Sequence, residues 1–138
     1  MKEKSFEALK EEILRRAKEA LACREEYGKA YKSENYEQLM EVLRNNFLWA
    51  CENGVLDAEL IEIYLDEFAD GKIYLNIDTS DGFLLAWGNA TVEAWGNAYI
   101  TSYDTIECKL SEYAIYRIRQ TNTILYTDEN IKFEKVNA

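Results

Sequence analysis

Apolar side chains in the first half of the chain recur at steps of three and four residues, which predicts amphipathic helices. Ser5 is placed to cap a first helix, and the pattern extends to Tyr31 with a bend allowed near Cys23 or Gly28. Glu, Lys and Arg fill the opposite side of this helix. Its predicted buried stripe consists of Phe6, Leu9, Ile13, Ala17 and Ala20.

Two further helices are predicted before residue 72. The second starts at Ser33 and ends at Asn53-Gly54, where glycine supplies the left-handed residue typical of a C-cap. Asp57 caps the third helix, which ends at Asp70-Gly71. The predicted stripes are Tyr36, Leu39, Met40, Leu43, Phe47 and Ala50 in the second helix, and Leu60, Ile61, Tyr64, Leu65 and Phe68 in the third. About three helices would form a small bundle.

The second half of the chain contains a short tandem repeat of eight residues. Residues 86–93 (AWGNATVE) are followed at once by residues 94–101 (AWGNAYIT). Each copy has the length of one strand and one corner, so it can bury its apolar side only against other copies. Small or apolar residues alternate with mostly polar ones inside each octad, which predicts strands with one buried and one solvated side.

Two arrangements of these strands compete. Gly88-Asn89 and Gly96-Asn97 could form two-residue hairpin turns of an antiparallel meander, but that register places Val92 opposite Thr101 and mixes polar with apolar positions. Parallel stacking of successive octads instead keeps like residues together. It would bring Val92 near Ile100, Cys108 and Tyr116.

The predicted fold class is therefore α+β. An acidic N-terminal helical bundle of about three helices in residues 1–71 precedes a short β-solenoid of octapeptide repeats in residues 72–138, and an antiparallel β-meander is the alternative for the second part.

The repeat also resembles a known group of sequences. Residues 88–98 (GNATVEAWGNA) are similar to the Gly-Asn-Ala-Thr-Val octapeptide arrays of uncharacterised proteins from gut Bacteroidales, phages and mobile elements. Residues 105–110 (TIECKL) and 114–119 (AIYRIR) resemble the closing region of those proteins. The resemblance implies a solenoid and a mobile-element setting, but no reaction and no catalytic residues.

Composition argues against an enzyme. The chain contains no histidine, which removes the commonest general base and transition-metal ligand. No glycine-rich loop with lysine and no Gly-x-Ser-x-Gly elbow occurs. Cys23, Cys51 and Cys108 are widely separated and are expected to be reduced, buried thiols. We therefore expect no catalytic residues, no cofactor and no metal site.

The same sequence predicts a cytoplasmic location in the host cell. No stretch approaches the roughly 20 apolar residues that span a bilayer, and the first residues lead into a charged helix instead of an apolar signal region. We expect no membrane partner.

Charge is the second informative feature of the sequence. The chain has 26 acidic and 16 basic residues, a formal net charge of −10, and no basic residue lies between Glu52 and Asp70. Glu59, Glu62, Asp66 and Asp70 would form a row on one side of the third helix. Such a row can imitate nucleic-acid phosphates towards a basic protein and repels DNA and RNA. Alternatively, it is a solvated face that keeps the protein soluble.

Aromatic residues also recur at octad spacing. Trp87, Trp95 and Tyr103 would stack as a ladder in a solenoid. A ladder of this kind could bind sugar rings or unpaired bases, although such columns more often pack against a neighbouring element.

Three functions are consistent with these features. The first is a non-enzymatic inhibitor or adaptor from a phage or mobile element, similar to an anti-CRISPR protein, that binds a basic nucleic-acid-handling host protein by phosphate mimicry without binding nucleic acid itself. The second is a structural module that forms homo-oligomers through the exposed end of the solenoid. The third is a carbohydrate-binding module that uses the aromatic platform.

Overall fold

The computed structural model describes residues 4–86, 91–102, 107–110, 114–118, 124–126 and 132–135. The chain divides into two compact units, Met1–Gly71 and Lys72–Ala138. We call them the helical unit and the strand unit.

Within residues 4–71 the helical unit contains six helices. They are α1 (Phe6–Glu19), α2 (Arg24–Lys32), α3 (Tyr36–Asn45), α4 (Phe47–Glu52), α5 (Ala58–Ile63) and α6 (Leu65–Asp70). The predicted bundle of about three helices is therefore wrong, because each predicted helix is interrupted once.

Three of these helices begin with a side-chain cap. Ser5 Oγ accepts a hydrogen bond from Ala8 N at 3.1 Å, as the sequence predicts. Asp57 Oδ1 accepts from Leu60 N at 2.8 Å, also as predicted. The helix predicted to start at Ser33 is capped instead by Asn35, whose Oδ1 accepts from Gln38 N. Each bond satisfies one amide that the first helical turn leaves without a partner.

Each interruption has a local backbone cause. Leu21 has a φ of 59°, in the left-handed region, and it separates α1 from α2. At Asn46 the side-chain amide donates to Val42 O at 2.9 Å, taking the carbonyl that a continuous helix would pair with the amide of residue 46. Tyr64 leaves helical geometry at φ −111° and ψ 38°, which separates α5 from α6.

The apolar stripes nevertheless form the core of the helical unit. The buried stripe residues are Leu9, Ile13 and Ala17 in α1, Leu39, Met40 and Leu43 in α3, Phe47 and Ala50 in α4, Leu60 and Ile61 in α5, Tyr64 between α5 and α6, and Phe68 in α6. Leu65 is an exception because 45% of it is exposed. Its predicted burial assumed an unbroken helix, and the change of direction at Tyr64 places it on the outside.

Eight short strands are described in the strand unit. They are β1 (Ile73–Leu75), β2 (Phe83–Ala86), β3 (Thr91–Ala94), β4 (Tyr99–Ser102), β5 (Glu107–Leu110), β6 (Ile115–Ile118), β7 (Ile124–Tyr126) and β8 (Lys132–Lys135). They form a five-stranded sheet in the order β1-β2-β4-β6-β8 and a small three-stranded sheet in the order β3-β5-β7. Every described pairing is parallel, so the antiparallel meander is wrong.

The predicted β-solenoid, in which each octad stacks on the next, is also wrong. Val92 pairs with Cys108 in the small sheet, whereas Ile100 pairs with Tyr116 in the large sheet. Neighbouring strands of one sheet therefore come from alternate octads. The physical reason is reach: the corner between two successive octads has only about four residues, too few to carry the chain back to the start of a parallel neighbour. The intervening strand of the other sheet supplies the missing length.

Alternate positions of these strands form one apolar cluster. Its members are Leu84, Ala86, Val92, Ala94, Ala98, Ile100, Leu110 and Ala114, and each is at most 1% exposed. The opposite side of the large sheet is not simply solvated, because Thr101 and its partner Leu85 are both fully buried. Thr101 occupies one of the mostly polar octad positions that the alternation predicts to be solvated, and this prediction is wrong for Thr101.

The connection between β1 and β2 extends the small sheet beyond β3. Thr79 N donates to Glu93 O at 2.9 Å, and Trp95 N donates to Thr79 O at 3.0 Å. Asp78 adds a side-chain bond, since its Oδ1 accepts from Glu93 N at 2.8 Å. These bonds satisfy backbone groups along the edge of β3 that would otherwise be free.

Candidate functional site

The acidic residues of α5 and α6 differ in how far they are paired within the helical unit. Asp57 is fully engaged: besides capping α5, its Oδ2 accepts from Arg16 Nη1 at 3.1 Å. Its carboxylate is therefore used to connect α1 to the start of α5.

Glu67 is also engaged within the unit. It forms an ion pair with Lys4, and the Lys4 ammonium lies 5.6 Å from the centre of the Tyr64 ring. The hydrogen bond to Glu67 raises the pKa of Lys4. Burial, followed by the nearby Glu67 carboxylate, raises the pKa of Tyr36. Only 18% of the Glu67 side chain is exposed, so this carboxylate belongs to the packing of α6.

The four carboxylates predicted as a binding row have a different environment. Glu59 and Glu62 lie on α5, Asp66 and Asp70 lie on α6, and all four are exposed. Within residues 4–86 and the shorter described segments, none of them forms an ion pair. Asp66 lies near enough to Lys4 to contribute to the raised pKa of Lys4, but neither it nor the other three carboxylates is held in an ion pair by a basic side chain of that part of the protein.

The row is carried by two helices and not by one. The break at Tyr64 leaves Glu59 and Glu62 three residues apart on α5, and Asp66 and Asp70 four residues apart on α6. Because side chains at these spacings share a helix face, each helix presents one pair of carboxylates.

Two exposed aliphatic side chains lie between the two pairs in the sequence. Ile63 is 54% exposed and Leu65 is 45% exposed, on either side of the buried Tyr64. Neither residue is among the predicted site residues, although the sequence already places Ile63 outside the predicted buried stripe. We refer to Glu59, Glu62, Ile63, Leu65, Asp66 and Asp70 together as the α5–α6 surface. It combines carboxylates that form no ion pair within the described residues with exposed apolar area.

The predicted aromatic platform is only partly described. Trp95 follows β3 of the small sheet and is 37% exposed. Trp87 and Tyr103 lie outside the described residues. The strands that precede them in the chain, β2 and β4, belong to the large sheet, so the three aromatic residues do not follow strands of a single sheet. Carbohydrate binding stays a prediction, as does self-association.

No protein-family model, curated protein or solved structure matches this chain. Among the helices of the described segments, none combines the length and apolar character needed to span a bilayer.

Proposed function

We propose that this protein is a non-enzymatic, acidic protein-binding protein whose α5–α6 surface occupies a basic, nucleic-acid-binding surface of another protein. In this function the carboxylates of Glu59, Glu62, Asp66 and Asp70 take the place of nucleic-acid phosphates. The bound protein would be a nucleic-acid-handling enzyme in the cytoplasm of the host cell, such as a defence nuclease, and the chain would act as its inhibitor.

The observation that carries the proposal is the contrast between paired and unpaired carboxylates. Asp57 and Glu67, on the same stretch of chain, are bound by Arg16 and Lys4. The four carboxylates of the α5–α6 surface have no such partner in the described residues. An uncompensated group of charges attracts a basic surface over a distance of about 10 Å at ordinary ionic strength, and it repels DNA and RNA.

Exposed apolar area favours a protein partner over a purely solvated helix face. A specific protein interface usually has a desolvated apolar centre with a charged rim. Ile63 and Leu65 supply such a centre between the two pairs of carboxylates along the chain.

The test is affinity capture with matched charge variants. The wild-type chain is immobilised, exposed to nuclease-treated host lysate, and the retained proteins are identified and purified. We expect a basic nucleic-acid-binding protein whose capture is reduced by competing DNA and by added salt. Reversing Glu59, Glu62, Asp66 and Asp70 to Lys should abolish its capture.

A second variant provides the control for net charge. Reversing Glu34, Glu37, Glu41 and Glu52 to Lys changes the net charge by the same amount at exposed positions outside the α5–α6 surface. This control should retain the partner. If both variants lose the partner equally, or if the variant with Lys at the four α5–α6 positions still captures it, these four carboxylates are not the binding site.

A third variant tests the apolar centre without altering charge. Replacing Ile63 and Leu65 by Ser should weaken binding of the purified partner about tenfold or more, since buried apolar side chains contribute strongly at the centre of an interface. Both residues are exposed in the free protein, so the circular dichroism spectrum and the unfolding temperature should change little. If the affinity is unchanged, Ile63 and Leu65 do not form the apolar centre of the interface, and only the electrostatic part of the proposal is retained.

A further inference from the structure

The helical unit contains an apolar cavity, partly open to solvent, that the proposed function does not use. Its volume is about 190 Å³, and its walls are mainly aliphatic, with contributions from Ile13, Ala17, Ala30, Leu43 and Val55. An apolar cavity of about 150 Å³ is large enough to bind benzene. The cavity can therefore hold a single aromatic ring or a small fused ring.

One end of the cavity is polar and offers hydrogen-bond acceptors. Glu26 and Asn46 both line it, and Asn46 Nδ2 donates to Glu26 Oε2 at 3.1 Å and to Val42 O at 2.9 Å. Because these two bonds use the amide hydrogens of Asn46, its remaining polar atom is the acceptor Oδ1. The bond from Asn46, followed by one from Lys29, lowers the pKa of Glu26, so its carboxylate is ionised at neutral pH.

The basic residue near this end does not line the cavity. Lys29 Nζ donates to the other carboxylate oxygen, Glu26 Oε1, at 3.1 Å, and its side chain is 55% exposed. A molecule in the cavity would therefore meet acceptors and apolar walls. Tyr27 and the partly exposed Trp49 add aromatic surface to the lining. Such a site favours a ring with an N–H or O–H donor and disfavours an anion, which Glu26 would repel.

We propose that this cavity binds a small, neutral aromatic molecule of about the size of indole, with its N–H group donating to the carboxylate of Glu26. The aliphatic walls remove the ring from water, and the carboxylate satisfies the donor that would otherwise be buried without a partner. This site is independent of the α5–α6 surface.

The primary experiment compares two ligands of nearly identical shape. Indole and 1-methylindole are titrated separately into the full-length protein by isothermal titration calorimetry. Indole should bind, and 1-methylindole, which lacks the N–H donor, should bind about tenfold or more weakly. Equal affinities, or no binding of indole, would overturn the proposal.

Two variants locate the site. Glu26→Met removes the acceptor, so the preference for indole over 1-methylindole should disappear while both compounds still bind. Ala30→Leu places a larger side chain in the cavity, since Ala30 is buried and lines it, and both compounds should then fail to bind. An unchanged preference in Glu26→Met, or unchanged binding in Ala30→Leu, would contradict the assignment.

Matched controls distinguish a filled cavity from a misfolded protein as the cause of lost binding. Ala8→Leu makes the same substitution at a half-buried position that does not line the cavity, and it should bind indole as the wild type does. If Ala30→Leu fails to fold, Ala22→Leu replaces it, because Ala22 lines the cavity and is only half-buried. Binding by Ala22→Leu equal to that of the wild type would likewise count against the site.

Discussion

The Arg16 guanidinium donates from Nη1 to Asp57 Oδ2 at 3.1 Å and connects α1 to the start of α5. The other oxygen of the same carboxylate caps α5 by accepting from Leu60 N at 2.8 Å. One side chain thus fixes both the beginning of α5 and its attachment to α1. Since α5 carries half of the proposed binding carboxylates, this bond helps to position them.

Replacing Asp57 should separate these two roles. Asp57→Ala removes the cap and the ion pair and should lower the free energy of unfolding by about 1–2 kcal/mol. Asp57→Asn keeps the capping oxygen and should cost less, because the ion pair is partly exposed and contributes little. Urea denaturation measures both values. If the two variants were equally destabilised, the capping hydrogen bond would not contribute more to the free energy of unfolding than the ion pair with Arg16.

A second prediction concerns the dependence of stability on pH. Hydrogen bonds from Arg15 and then Arg16 lower the pKa of Glu12 from its ordinary value of 4.5 to about 2. The unfolded chain therefore takes up this proton at a higher pH than the folded protein does, and the stabilisation is lost as the pH falls from about 4.5 to about 2. Glu12→Gln should be less stable than the wild type at pH 7, and the difference should shrink across that range.

The cause of this shift can be checked separately. Arg15→Gln removes the larger contribution to the low pKa of Glu12 and leaves the bond from Arg16 Nε at 2.8 Å. The pH range over which the contribution of Glu12 to the free energy of unfolding is lost should therefore become narrower. Urea midpoints at closely spaced pH values report this directly, and a range of unchanged width would assign the shift to Arg16 alone.

The helical periodicity was sufficient to predict most of the helical core but not the helix ends. Leu39, Leu43 and Phe47 are buried as predicted, because the interruption at Asn46 leaves them on the same side. At Tyr64 the backbone changes direction, and the predicted burial of Leu65 is wrong. Tyrosine is not a residue that predicts a helix end. The break at Tyr64 therefore depends on tertiary packing, which the periodicity of apolar residues does not report.

The repeat likewise predicts strands but not their partners. Alternation within the octads places Val92 and Ile100 in the apolar cluster, as observed. They belong to different sheets because the short corner between successive octads cannot connect two paired parallel strands. The repeat period alone does not predict this. For the candidate site, charge along the sequence identified the carboxylates, whereas the exposure of Ile63 and Leu65 required the structure.

Thiol reactivity provides a test of packing in the helical unit. Cys23 is exposed, so its predicted burial is wrong, whereas Cys51 is only 2% exposed, as predicted. In native protein, iodoacetamide should alkylate Cys23 about 100-fold faster or more, since Cys51 reacts only when its surroundings open. Mass spectrometry of the two peptides after timed reactions gives the rates, and denaturation in urea should make them similar. Comparable rates in the native protein would contradict the burial of Cys51.

A stabilising substitution is expected in α2. Gly28 lies inside this helix, and an added Cβ would meet no heavy atom within 4 Å. Gly28→Ala should raise the free energy of unfolding by about 0.5–1 kcal/mol, because alanine loses less backbone entropy in a helix. Urea denaturation provides the measurement. A loss of stability would show that α2 is strained or contacted at this position.

The opposite result is expected at Gly96, at the corner after β3. Its φ is +61°, and an added Cβ would collide with the carbonyl oxygen of Ser80. A residue other than glycine in the left-handed region costs about 1–2 kcal/mol. Because of the collision, Gly96→Ala should lower the free energy of unfolding by more than this amount. Gly54→Ala is the control, since Gly54 has a φ of +74° but open space around it. Thermal unfolding compares the two, and equal losses would show that the Ser80 carbonyl moves away without cost.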